Sequence, residues 1–122
     1  MTKTVMIVDD SASLRQVVNI ALKGAGYDVV EACDGMDALN KLDGRRIHLV
    51  ISDVNMPNLD GIGFLKRLKA NPSYKFTPVI MLTTEAGENK KLEGQQAGAK
   101  AWVVKPFQPA QMLSAVSKLC LP

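Results

Sequence analysis

Five short apolar runs recur along this chain, and between them lie stretches whose apolar residues repeat at helical spacing. The runs are TVMIV (Thr4 to Val8), YDVVEA (Tyr27 to Ala32), IHLVIS (Ile47 to Ser52), VIMLT (Val79 to Thr83) and AWVV (Ala101 to Val104). Each is too short for a helix and rich enough in β-branched residues for a strand. In the first stretch between them, Leu14, Val17, Val18, Ala21 and Leu22 share one helical face. Ser11 and Ser13 offer N-caps there, and Gly24 and Gly26 a stop. Gly35 to Leu42 predicts a second helix with Met36, Leu39 and Leu42 inward, and Ile62 to Ala70 a third through Phe64, Leu65 and Leu68. Glu85 to Gly98 is helical by position but rich in glycine, while Pro109 to Leu119 turns Met112, Leu113, Val116 and Leu119 inward. Near-continuous apolar strands need cover on both faces. The pattern therefore predicts an α/β fold, a doubly wound five-stranded parallel sheet with five helices.

At 122 residues, 47% of them hydrophobic, the chain fits a single domain over 1–122 with no output domain. The net charge of +3 raises the question of nucleic acid. No basic run exceeds a pair, as in Arg45-Arg46, Lys66-Arg67 and Lys90-Lys91. A mixed solvated surface and no nucleic-acid partner are expected. Cys33 and Cys120 fit no CxxC or zinc-ligand pattern, so both are expected as buried thiols in a reducing compartment. With no signal-peptide core after Met1 and no run of about 18 apolar residues, a cytoplasmic location without membrane insertion is expected.

Parallel sheets gather function at the carboxyl ends of their strands. Asp9 and Asp10 follow the first run, Asp53 the third and Lys105 the fifth, while Thr83 and Thr84 close the fourth. If strands one, three, four and five are neighbours, these side chains meet on one edge. Three carboxylates so close repel one another, and a magnesium ion removes that penalty with one or two carboxylates plus phosphate oxygens. Lys105 adds a fixed positive charge and Thr83 a hydroxyl. Together they make a receptor for a transferring phosphoryl group, with Asp53 as nucleophile. Taken singly, each residue has an ordinary reading. Asp9 fits a helix cap, Thr83 a strand residue, Lys105 loop chemistry, Asp60 a turn and His48 a structural role. Four complementary groups, each at a strand end, favour the site.

The motifs VDD (Val8 to Asp10), DVNMPNLDG (Asp53 to Gly61), LTTEA (Leu82 to Ala86) and KPF (Lys105 to Phe107) occur in that order along the chain. In this it resembles the receiver domains of two-component response regulators, most closely the single-domain chemotaxis, CheY-type, members. The resemblance implies a flavodoxin-like sheet of order 2-1-3-4-5. It implies that Asp53 takes a phosphoryl group from a CheA-like histidine kinase. Mg2+ would be bound by Asp10, Asp53 and the main-chain carbonyl of Asn55, with Asp9 assisting directly or through water. Thr83 and Lys105 would contact the phosphoryl oxygens, Lys105–Pro106 would be a cis peptide, and Asn55 and Glu85 would tune dephosphorylation.

Thr83 and Trp102 hold the positions of the family's output switch. Trp102 departs from the usual tyrosine, since it is bulkier and has an N–H donor but no hydroxyl. The implied protein is a monomeric phosphoacceptor switch rather than a multiple-turnover enzyme. Its output partner would be phosphorylation-dependent, with the flagellar motor switch, a phosphate sink and a non-chemotactic pathway all open. A Mg2+-dependent aspartate-nucleophile phosphohydrolase is the alternative, weakened because Asn55, not an acid, stands two residues after Asp53. A flavin binder ranks last, because the acidic Asp9–Ser13 loop would repel its phosphate.

Overall fold

The computed structural model describes residues 3–42, 44–54, 56–83, 95–105 and 107–119. Its strands are β1 (Thr4–Val8), β2 (Asp28–Ala32), β3 (Leu49–Asp53), β4 (Val79–Thr83) and β5 (Ala101–Val104). The helices are α1 (Ala12–Gly24), α2 (Gly35–Leu42), α3 (Gly61–Ala70) and α5 (Pro109–Leu119), with α4 represented by helical residues 95–97. The rest of the helix expected over Glu85 to Gly98 lies outside the described residues, apart from the turn at Gly98.

All strand pairs are parallel, in the order β2-β1-β3-β4-β5. That is the flavodoxin-like order implied above. Side chains of a strand alternate between faces, and each face of this sheet has its own core. Val5, Ile7, Leu49, Ile51, Ile80 and Leu82 pack with Val18 and Leu22 of α1 and Met112 and Val116 of α5. Met6, Val8, Val50, Val79 and Met81 pack with Leu42 of α2 and Phe64, Leu65 and Leu68 of α3. The central strands β3 and β4 are buried throughout, and edge strand β2 is mostly half-exposed. No helix among the described residues is long and apolar enough to cross a membrane.

Three sequence expectations need correction. Val17 is 50% exposed, because Val18 and Leu22 carry the α1 contact and Val17 lies at the margin of the apolar arc. Met36, in the first turn of α2, is 42% exposed, and its sulfur lies 3.7 Å from Arg67 Nη1 on the surface. Cys33 is an exposed free thiol, since it falls in the bend after β2, where its N–H is held by Asp37 Oδ2. Cys120 lies outside the described residues. His48 is structural, as expected: its Nδ1 accepts the Thr4 N–H at 3.0 Å and its own N–H reaches the Thr4 carbonyl.

Candidate functional site

Adjacent parallel strands deliver their last residues to the same edge of the sheet, and here β1, β3, β4 and β5 are consecutive neighbours. Asp9 directly follows β1 and is fully buried. One of its oxygens, Oδ1, accepts the Ser11 N–H at 2.8 Å, so Asp9 does organise the turn into α1. The N-cap itself is Ser11, whose side chain accepts from Leu14 N–H. The other oxygen, Oδ2, accepts from Lys105 Nζ at 3.0 Å. Satisfying both oxygens makes a buried carboxylate tolerable at this position.

Asp53 is the last residue of β3, in register with Leu82 of β4, and is only 7% exposed. Its Oδ1 accepts the Val54 N–H at 2.8 Å and lies 3.3 Å from Lys105 Nζ. Asp10, one residue beyond Asp9, is exposed. Carboxylate oxygens of Asp9, Asp10 and Asp53 all lie within 4.8 Å of one another. Thr83 closes β4 and is buried, and its carbonyl accepts the Lys105 N–H at 2.7 Å, which joins the exits of β4 and β5.

Among the described residues, three carboxylates against one ammonium leave two uncompensated negative charges at a cluster of hard oxygen donors. That is the donor chemistry of a small divalent cation such as Mg2+. The same imbalance shows in Asp53. Burial, and then the neighbouring Asp9 carboxylate, push its carboxyl above the usual value, against the opposing pull of Lys105 and the Val54 N–H. Asp9, Asp10 and Asp53 therefore fit a metal, with Lys105 already in place as a monovalent partner.

Trp102 lies in the middle of β5, opposite Met81, and is half-buried against the α2/α3 core. Asn55, Glu85 and Pro106 lie outside the described residues, so the expected metal-binding carbonyl, the tuning pair and the cis peptide cannot be placed.

Three further residues hold the site: Asn58 and Gly61 lie inside the DVNMPNLDG motif without a role assigned from sequence, and Arg15 lies outside every motif. Gly61, the first residue of α3, sits so close to strand β3 that a Cβ there would overlap the Asp53 carbonyl oxygen. Its N–H bonds to the Val54 carbonyl at 2.8 Å, and Asp60 caps α3 through the Gly63 N–H. Asn58 adopts a left-handed conformation, φ 68°, and donates from Nδ2 to Asp34 Oδ2 at 2.7 Å. This ties the loop after Asp53 to the loop before α2. Arg15 donates to the Asp9 carbonyl while ion-pairing with Glu31, and so braces the β1–α1 loop from behind. The sequence marks a turn at Asp60; which backbone the following glycine would press against was invisible without the fold.

The model of the response regulator receiver domain matches residues 5–117 of the chain. Protein PilG of Pseudomonas aeruginosa is 38% identical over 112 residues, which cover 92% of this chain and 83% of that protein. Chemotaxis protein CheY1 of Helicobacter pylori is 38% identical over 106 residues, covering 85% of this chain and 86% of that one. The solved structure of chemotaxis response regulator CheY4 of Vibrio cholerae superposes with a TM-score of 0.93 at 45% identity, over 98% of this chain and 99% of that one.

Proposed function

This chain belongs to the response regulator receiver domain family, and on that premise we propose that it is a phosphoacceptor switch of a chemotaxis-type two-component pathway. Asp53 is the acceptor. One oxygen of its carboxylate attacks the phosphorus of a phosphohistidine on a CheA-like kinase, the P–N bond breaks, and the imidazole leaves with the bonding pair. The observation that carries this reading is the Asp9–Asp10–Asp53 cluster with Lys105 Nζ between two of its members.

Asp10 and Asp53, with Asp9 and the Asn55 carbonyl, would hold Mg2+. When bound, that ion neutralises the oxygens of the transferring group. The remaining work falls to the chain. Asp9 holds the Lys105 ammonium against Asp53, where it is placed to pair with an arriving phosphoryl oxygen. Thr83, buried at the end of the neighbouring strand, supplies the second contact through its hydroxyl. Asn55 and Glu85 set how quickly water removes the phosphoryl group.

The output runs through Thr83 and Trp102. Drawing the threonine toward the phosphoryl group makes room for the half-buried indole to turn inward. A phosphorylation-dependent partner, the motor switch or another protein, then reads the changed surface. The protein acts in the cytoplasm, as a monomer, and its chemistry occurs once per signalling cycle rather than as turnover of an external substrate.

The experiment is incubation with Mg2+ and acetyl phosphate. A switch gains one labile phosphoryl group, loses that capacity in Asp53→Asn, and changes its tryptophan emission, since Trp102 is the only tryptophan. Sustained turnover of unrelated phosphate esters would assign a phosphohydrolase instead.

A further inference from the structure

The end of the sheet away from the acidic cluster carries the opposite charge. Between Gly61 and Thr84 the chain has Lys66, Arg67, Lys69 and Lys75 and no acid; between Gly94 and Pro122 it has Lys100, Lys105 and Lys118 and no acid. Among the described residues, only Lys105 of these is paired with a carboxylate. No basic run betrays a patch in the sequence. The fold assembles one, because the loop from α3 to β4 and the residue entering β5 lie side by side.

At its centre is Phe76, 87% exposed, the most exposed large apolar residue among the described residues. A groove of about 420 Å³ lies on one side of it, lined by His48, Pro78, Lys100, Lys118 and Leu119. A second, of about 390 Å³, lies on the other side, lined by Lys69, Lys75, Ala97, Gly98 and Lys100. Phe76 and Lys100 border both, so they form the ridge between two basic grooves that no acid lines among the described residues.

The lysines of this face make no ion pair among the described residues. Lys75 lies over the Phe76 ring at 5.6 Å, and Lys69 donates to the Thr77 carbonyl. Burial, and then the charge of Lys100, pull Lys69 below the ordinary ammonium value, as expected where like charges face each other. Elsewhere on the molecule Arg15 and Lys41 do find carboxylates.

We propose that this Phe76–Lys69–Lys75–Lys100 face is a docking site for an acidic protein segment that carries an apolar anchor residue. Acidic side chains would occupy the two grooves, and the anchor would pack on the Phe76 ring and Pro78. Aromatic anchors set inside a polar rim are common energetic centres of protein contacts. A peptide suits the site better than nucleic acid. Phosphate-backbone binding draws on a long stripe with many phosphate contacts, whereas here four lysines surround one ring. The face lies at the amino ends of β4 and β5, opposite the acidic edge. Docking here is thus compatible with phosphorylation at Asp53, and stands whether or not Asp53 is phosphorylated.

The test is fluorescence anisotropy of a fluorescein-labelled Glu/Asp-rich peptide with a central Leu-Phe pair. Two control peptides replace the acids by Gln or the Leu-Phe pair by Ala-Ala. The expected dissociation constant is on the order of tens of micromolar at low salt, weakening as salt rises. Phe76→Ser and the Lys75→Glu/Lys100→Glu pair should each weaken binding about tenfold or more, as should both control peptides. Because Phe76 and both lysines lie on the surface, these variants should keep the wild-type melting temperature, and amide shifts should map binding to residues 69–78 and 97–100. Absence of binding at about 1 mM protein, or equal binding by the variants, overturns the proposal. Tighter binding at the same lysines by oligo-dT or phosphatidylserine vesicles overturns the peptide assignment.

Discussion

The Lys105 ammonium lies 3.3 Å from Asp53 Oδ1, so the proposed acceptor carboxylate has a cationic neighbour within the chain itself. Asp9 shares that ammonium from its other side at 3.0 Å. Lys105 therefore competes electrostatically with any metal at the cluster while stabilising the buried acids. Lys105→Met should bind Mg2+ about tenfold more tightly, since one repelling charge is gone from a partly solvated site. In chelator the same variant should melt earlier, because Asp9 is left buried without its partner. Calorimetric titration and thermal melts with and without Mg2+ check both signs. Unchanged affinity would mean that Lys105 does not share the site.

Asp53 gives the pH dependence. Its folded-state pKa is raised by burial and by Asp9, so protonation favours the folded form. This stability is fully present below the unfolded carboxyl value of about 4 and is lost as pH rises through the raised folded value. Asp53→Asn cannot ionise. In chelator at neutral pH it should melt a few degrees above wild type, and the gap should close toward acid pH. Added Mg2+ should stabilise wild type and leave Asp53→Asn nearly unmoved. A variant that melts lower than wild type in chelator at neutral pH would contradict this.

The convergence of Asp9, Asp53, Thr83 and Lys105 was legible because parallel strands deliver their carboxyl ends to one edge, and apolar runs mark where strands end. Asp53 was legible for the same reason, although it belongs to β3 rather than following it. The supports were not legible. Gly61 matters through one close approach to the Asp53 backbone, and Asn58 through Asp34, 24 positions away. Neither contact leaves a periodic signal. The exposure of Val17 and Met36 shows the same limit, because periodicity gives a face but not its width. The basic face around Phe76 is dispersed in sequence and exists only once α3, β4 and β5 are packed.

Gly61→Ala tests the first of those supports. The added methyl meets the Asp53 carbonyl, a backbone atom that cannot rotate away. A loss of about 1–3 kcal/mol is expected in urea denaturation, together with weaker Mg2+ binding as β3 and the α3 start move apart. A fully stable Gly61→Ala with wild-type metal affinity would show that the contact relaxes without cost.

The Asn58–Asp34 hydrogen bond tests the second. Asp34 is held below the usual carboxylate value by the Asp37 N–H and then by Asn58. Its contribution to stability is present above the unfolded value of about 4 and lost as pH falls through the lowered folded value. Asn58→Gly keeps the left-handed backbone but loses the bond, whereas Asn58→Ala loses both. The denaturation midpoint should fall in the order wild type, glycine, alanine, and NMR titration should show the Asp34 carboxyl moving up in both variants. The reverse order, with glycine the less stable, would assign the backbone no part.

The most direct measurement is the site of the covalent bond. The protein is treated with acetyl phosphate and Mg2+, reduced with borohydride to convert an aspartyl phosphate into homoserine, and mapped by peptide mass spectrometry. Homoserine at position 53 alone, absent when Mg2+ is chelated, is the predicted result. No reduced residue, or one at Asp9 or Asp10 in place of Asp53, would contradict the account.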